Sequence, residues 1–90
     1  GTGIVDLNKL DEINIYPNPV NKILNIDVPL EFIDGELVLF NMLGQELYKK
    51  NISNKLTKIN LSNFENGSYF IFLKKDALIK KNRIIKVVQN

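Results

Sequence analysis

Short runs of alternating apolar and polar residues recur along the chain from residue 13 onward. In residues 23–28, for example, Leu24, Ile26 and Val28 fall on one face of an extended chain, and polar residues fall on the other. No segment of ten or more residues carries the apolar stripe of a helix. Together with runs that are apolar throughout, the alternating runs predict seven strands, at residues 13–15, 23–28, 37–40, 46–49, 56–61, 68–73 and 83–88.

Residues that favour turns separate these runs. Gly44 suits a backbone with positive φ, and Asn66-Gly67 precedes the sixth run. The segment Tyr16-Pro17-Asn18-Pro19 ends the first run, because each proline removes a backbone donor and fixes φ. We therefore expect the first strand to be a short edge strand that turns away from its partner. Seven short strands at this spacing predict an all-β fold, an immunoglobulin-like antiparallel β-sandwich. Tyr69, which opens a strand just after a turn, suits the tyrosine corner of such folds.

Three runs are apolar on both faces: residues 37–40, 69–73 and 84–88. One interpretation is that they are central strands whose outer face is partly covered by loops and long side chains. The other is an apolar patch that docks against a partner or against a second copy of the chain. The sequence leaves both interpretations open, and with them the expectation of weak self-association.

Ninety residues are enough for one domain with a modest core. Residues 1–12 lack a strand pattern and are interpreted as a linker, with the domain at 13–90. The chain has no cysteine and no histidine, so a Ser-His-acid triad or a thiolate metal site cannot form. The carboxylates Glu31, Asp34 and Glu36 surround a turn without the spacing of a calcium loop, and we interpret them as solvated charges. We expect no enzyme activity, no metal and no cofactor.

The basic charge lies at the end of the chain. Residues 74–90 contain six basic residues and one acid, whereas residues 1–73 contain six lysines and nine acids. Nucleic-acid modules usually combine lysines with arginine and aromatic contacts, and Arg83 is the single arginine here. We therefore expect no nucleic-acid partner. Taken alone, lysines that alternate with isoleucine and valine indicate an edge strand protected against aggregation.

Four motifs in order give the chain a family resemblance. They are Tyr16-Pro17-Asn18-Pro19, then Leu43-Gly44-Gln45 after a strand, then residues 61–69 ending in Gly67-Ser68-Tyr69, and finally the basic strand at 81–86. In this combination the chain resembles the C-terminal sorting domains carried by cargo of the type IX secretion system of Bacteroidetes. Residues 65–66 depart from the Pro-Ala often found in the family, and Asn-Gly forms a turn equally well.

This resemblance implies an address rather than a catalyst. The domain would follow an N-terminally fused cargo domain and be exported through the periplasm and the outer-membrane translocon to the cell surface or the medium. A sortase-like cysteine protease would then cut at or before about residue 12. The expected recognition element is the terminal strand, through its backbone and its side chains. Its candidate residues are Lys81, Arg83, Ile84, Ile85, Lys86, Val87 and Val88. The residues interpreted as fold determinants are Tyr16, Pro17, Asn18, Pro19, Leu43, Gly44, Gln45, Gly67 and Tyr69.

The alternative hypothesis is an immunoglobulin-like binding or adhesion module at the cell surface. A carbohydrate site would favour exposed tryptophan or tyrosine, but the chain has no tryptophan. Its three tyrosines, at positions 16, 48 and 69, lie in or beside predicted strands.

Overall fold

A computed structural model describes residues 13–88 as seven strands and one turn of 3-10 helix. The predicted linker, residues 1–12, lies outside the described residues. The strands are β1 (Asn14–Tyr16), β2 (Ile23–Asp27), β3 (Glu36–Asn41), β4 (Glu46–Asn51), β5 (Leu56–Asn60), β6 (Gly67–Lys75) and β7 (Leu78–Lys86), and the 3-10 turn covers Leu30–Phe32.

The strands form two antiparallel sheets that pack together as a β-sandwich. One sheet has three strands in the order β1-β2-β5, and the other has four in the order β4-β3-β6-β7. Alternate residues of each strand face the interior, as the pattern predicted: Leu24 and Ile26 on β2 meet Leu39 and Ile71 of the other sheet in one apolar cluster. The predicted all-β sandwich is confirmed.

The strand β1 is a three-residue edge strand, as expected from the two prolines that follow it. After Tyr16 the chain leaves the three-stranded sheet and crosses to the edge of the other sheet. There Val20 forms a parallel bridge with Lys86 on β7. This crossing ties the two sheets together.

The last two strands differ from the prediction. The predicted strands at 68–73 and 83–88 left the residues between them as a loop, but β6 and β7 are each nine residues long and join through a tight turn at Asp76 and Ala77. Asp76 adopts a positive φ of 53°, which allows the chain to reverse within two residues. The last strand therefore runs from Leu78 to Lys86 rather than from 83 to 88. No residue from Leu78 to Arg83 is buried, so the first part of this strand carries no apolar pattern.

The three runs that are apolar on both faces lie at different places in the four-stranded sheet. The strands β3 and β6, which contain the first two runs, are the central strands of the four-stranded sheet. The third run lies on β7, an edge strand, so the central-strand interpretation is wrong for it.

Candidate recognition site at the terminal strand

The terminal strand divides its predicted recognition residues between two faces. Ile84 is fully buried, and Lys86 is only 2% exposed. Both side chains point into the sandwich. Ile84 pairs with buried Tyr69 in the register of β6 and β7, and Lys86, two residues further along β7, lies on the same face. The remaining candidates are exposed to solvent: Lys81, Arg83, Ile85, Val87 and Val88. Only this second group has side chains that a partner could contact in the folded domain.

Residues 18–20 cover the outer backbone edge of this strand. The side chain of Asn18 donates to the carbonyl of Arg83 at 3.2 Å and accepts from the amide of Ile85 at 3.0 Å. The backbone of Val20 continues the pairing: its amide donates to the carbonyl of Ile85 at 2.8 Å, and its carbonyl accepts from the amide of Val87 at 2.9 Å. Asn18 thus takes the place of a strand residue. A partner strand could pair with this stretch only after displacing residues 18–20.

Replacing Asn18 by alanine is expected to weaken the terminal strand without unfolding the domain. Both side-chain hydrogen bonds are lost, but water can replace them at this exposed site, so we expect a loss of about 1 kcal/mol of unfolding free energy. Because the amide of Ile85 loses its acceptor, its hydrogen exchange should become faster. Exchange of that amide measured by NMR checks the prediction. Asn21→Ala, at an exposed neighbouring position, is the control. Unchanged protection of Ile85 in the Asn18 variant would contradict the assignment.

Residues 61–69 hold the same strand from inside and from its end. The ammonium group of Lys86 donates to the carbonyls of Phe64 and Ser62, the latter at 3.4 Å. The side chain of Asn66 accepts from the amide of Val88 at 3.1 Å. The two carbonyls give the Lys86 ammonium group hydrogen-bond acceptors, without which its burial would be costly. No buried side-chain nitrogen or oxygen among residues 13–88 lacks a hydrogen-bond partner.

Tyr69 fixes the turn at the start of β6. Its hydroxyl donates to the carbonyl of Glu65 at 2.5 Å, four residues upstream, and its ring packs edge-on against Phe64 with centroids 6.2 Å apart. The predicted tyrosine corner is confirmed. Burial, assisted by the nearby charge of Glu65, raises the pKa of the Tyr69 hydroxyl.

Tyr69→Phe should lower the free energy of unfolding by about 1 kcal/mol at neutral pH, because the Glu65 carbonyl loses its donor. The raised pKa also sets the sign of a pH effect. An unfolded tyrosine ionises near pH 10, before the folded one, so this contribution is full below about pH 10 and declines above it. Denaturant unfolding of both proteins from pH 8 upward checks this. The difference in unfolding free energy between the wild type and the variant should narrow above pH 10. A difference that widens would contradict the prediction.

The hairpin that joins β3 and β4 lies apart from these contacts with the terminal strand. The Asn41 side chain accepts from the amides of Leu43 and Gln45, both at 2.9 Å, and donates to the Gln45 side chain at 2.7 Å. Gly44 has a φ of 83°, as predicted for this turn. Leu43 is 84% exposed, so this family-motif residue does not contribute to the core. The role of Asn41 was missed from the sequence, although asparagine before a turn is the usual signal for such a bond.

No three or more acidic, histidine or cysteine side chains cluster within residues 13–88. Over the same residues, no helix is long and apolar enough to span a membrane.

The first and third motifs thus contact the fourth, which is the terminal strand. Comparison with known families gives this arrangement its context. The sequence model of the secretion system C-terminal sorting domain matches residues 14–87. The chain belongs to this family. The sorting domain is a type IX secretion signal, and such a signal implies export to the cell surface or the medium.

A curated relative supports the same assignment. Beta-agarase A of Zobellia galactanivorans is 34% identical to the sorting domain over 59 residues, which are 66% of this chain and 11% of the agarase. The match therefore covers a small part of that enzyme.

Proposed function

We propose that this domain directs a fused N-terminal cargo protein to the outer-membrane translocon of the type IX system as a folded signal. The observation that carries this proposal is the convergence of the motifs. Residues 18–20 bind the outer edge of β7, and residues 61–69 bind Lys86 and Val88. The motifs thereby fix the position of the exposed side chains on the terminal strand. A signal read by a receptor needs such a fixed surface, since ordering it at binding would cost free energy.

The surface that we expect to be read consists of Lys81, Arg83, Ile85, Val87 and Val88. Ile84 and Lys86 act indirectly, because their buried side chains hold this surface in place. Backbone addition of a partner strand is a less direct mode here, since Asn18 and Val20 already bond the edge from Arg83 to Val87. We therefore favour recognition through side chains.

We also propose that a sortase-like cysteine protease removes the domain after passage, cutting at or before about residue 12. The first described residue, Ile13, is buried, and its carbonyl accepts from the side chain of Asn82 at 3.4 Å. A protease needs an extended, accessible chain, so a cut is favoured upstream of this anchored residue.

The experiment fuses residues 1–90 to the C-terminus of a fluorescent reporter that carries a periplasmic export signal, in a host with a type IX system. Truncation after Asn82 would remove Ile84 and Lys86 and so unfold the signal as well as shorten it. The better variant is Arg83→Ser/Ile85→Ser/Val87→Ser, which keeps both buried residues. Its matched control is Lys55→Ser/Leu56→Ser/Lys58→Ser, which replaces exposed residues near or on β5.

We expect the wild-type and control fusions to reach the surface or medium and the terminal-strand variant to remain in the periplasm. Circular dichroism must show that all three are folded. The mass of the exported reporter locates the cut, which we expect at or before about residue 12. Equal export of the folded variant and the control would overturn the proposed reading surface. Retention of all three would overturn the secretion role and favour the adhesion module.

A further inference from the structure

The outer face of the four-stranded sheet carries an aromatic surface that the packing of the sandwich does not use. The register places Phe40 opposite Phe70, and Val38 opposite Phe72, on the side away from the core. Phe40 and Phe72 contact edge to face with centroids 5.1 Å apart. All three phenylalanines remain partly exposed, whereas Val38 between them is buried.

The hairpin tip extends this aromatic face. Met42 is 53% exposed and lies beside Phe40, Phe70 and Phe72 around a shallow depression of about 260 Å³. The hydrogen bonds of Asn41 hold the tip in one conformation, with Leu43 exposed next to it. An apolar surface that is already ordered loses little conformational entropy when a partner covers it.

Charged side chains surround the aromatic face: those on its β7 edge are basic, whereas on the β4 side Glu46 pairs with Phe40. The pairing of β7 with β6 places Lys81 beside Phe72 and Arg83 beside Phe70. On the other side, Lys49 pairs with Val38, and its ammonium group lies 3.5 Å from the carboxylate of Glu36. Arg83 is oriented by a 3.0 Å hydrogen bond to Ser68. The edge formed by β7 therefore favours an acidic partner.

We propose that this outer face, with Phe40, Phe70 and Phe72 at its centre and Lys81 and Arg83 at its edge, docks a protein surface in which an apolar side chain projects beside carboxylates. The inference rests on the proposed sorting function, because it assigns the acidic partner surface to the translocon. The depression has room for an apolar side chain, and the basic edge pairs with its acidic neighbours. Buried apolar anchors surrounded by charged contacts are the usual arrangement of a protein interface.

The charges and the shape of the face distinguish this partner from the other occupants. A second copy stacked with its β7 over this β7 would oppose Lys81 and Arg83 with the same cations. A membrane would favour apolar side chains that project beyond their neighbours, but the phenylalanines lie in the middle of a sheet with long charged side chains on both sides. Both occupants become outcomes of the test.

The test measures binding of residues 1–90 to translocon purified in detergent from a type IX-competent host, alongside export of the reporter fusion. Phe70→Thr/Phe72→Thr removes the aromatic centre and keeps residues that favour strands. Lys81→Glu/Arg83→Glu reverses the charge of the β7 edge. It keeps the proposal testable if the first variant misfolds. The matched controls are Leu30→Thr/Leu56→Thr and Lys55→Glu/Lys58→Glu, at exposed positions away from this face.

We expect each face variant to bind about tenfold or more weakly than its control, with export lost in parallel. Wild-type binding should also weaken as salt is raised. Wild-type binding and export together with unchanged affinity of folded face variants would overturn the inference and leave the sorting function standing. Absence of both wild-type binding and wild-type export would instead overturn the function itself.

Two further measurements test the other occupants. Sedimentation that shows a wild-type dimer lost in the Phe70/Phe72 variant, with translocon affinity unchanged, would assign the face to a second copy. Flotation with vesicles of phosphatidylcholine and phosphatidylglycerol that depends on the two phenylalanines, again with translocon affinity unchanged, would assign it to lipid. Either result overturns the proposal.

Discussion

Replacing Ile84 by alanine is expected to lower the free energy of unfolding by about 2–5 kcal/mol, the usual cost of removing a large aliphatic side chain from a close-packed core. Ile84 is fully buried and belongs to the central apolar cluster, although it lies on an edge strand near the end of the chain. A domain of this size has little stability to spare, so the variant should be largely or wholly unfolded at 37 °C. Urea unfolding measures the loss.

The adjacent residue provides the control. Ile85 is the same residue type but is 38% exposed and points outward, so Ile85→Ala should cost less than about 1 kcal/mol. The pair separates stability from recognition, because both positions lie in the stretch that resembles the family's terminal signal. Equal destabilisation by the two substitutions would contradict the orientation of the terminal strand.

Gly35→Ala is expected to cost about 3 kcal/mol, at the upper end of the range for over-packing. An added Cβ would lie 2.3 Å from the backbone carbonyl oxygen of Lys74 and 2.9 Å from the Cβ of Lys75. Backbone atoms on β6 cannot move aside like the end of a flexible side chain, so the pairing of β3 with β6 must distort. The carbonyl of Gly35 also accepts a hydrogen bond from the amide of Ile52, which ties the end of β4 to this point.

Gly44→Ala is the matched control for this glycine. Its added Cβ meets no atom within 4 Å, and only the positive φ of 83° opposes the substitution, so we expect a loss of about 1 kcal/mol. Thermal unfolding followed by circular dichroism compares the two variants. At about 4–8 °C of melting temperature per kcal/mol, the two losses should be well resolved. A Gly35 variant as stable as the Gly44 variant would contradict the close approach of β3 and β6.

The sequence predicted the strands best where apolar residues alternate with polar ones and lie on the buried face of a sheet. The strand β2 illustrates this, because Leu24 and Ile26 alternate with polar residues and are fully buried in the structure. The start of β7 could not be predicted, because no residue from Leu78 to Arg83 is buried and the segment therefore has no alternating apolar pattern. A tight turn that uses a positive φ at Asp76, rather than at a glycine, gives no strong signal either.

The candidate site was predicted by position but not by orientation. Basic residues at the end of the chain were interpreted together, yet Arg83 is exposed and Lys86 is buried. What distinguishes them is a pair of carbonyls on residues 62 and 64, more than twenty positions away in sequence. The role of Asn18 depends equally on a distant strand, since its partners are Arg83 and Ile85. Such pairings follow from the topology and cannot be read from local sequence.

Under the proposed function, this arrangement would let one short domain serve as an address for different cargo. The three motifs other than the terminal strand form turns, and two of them form hydrogen bonds with that strand. This account predicts that cargo identity has little effect on recognition, as long as the domain is folded.

The most direct test of the sorting role compares one wild-type reporter fusion in two strains, one with a working type IX translocon and one without it. The quantity measured is the fraction of reporter fluorescence at the cell surface and in the medium. The account predicts export in the competent strain and retention in the periplasm of the deficient one. Equal export by the two strains, with the domain folded in both, would contradict the claim that this domain is a signal for that translocon.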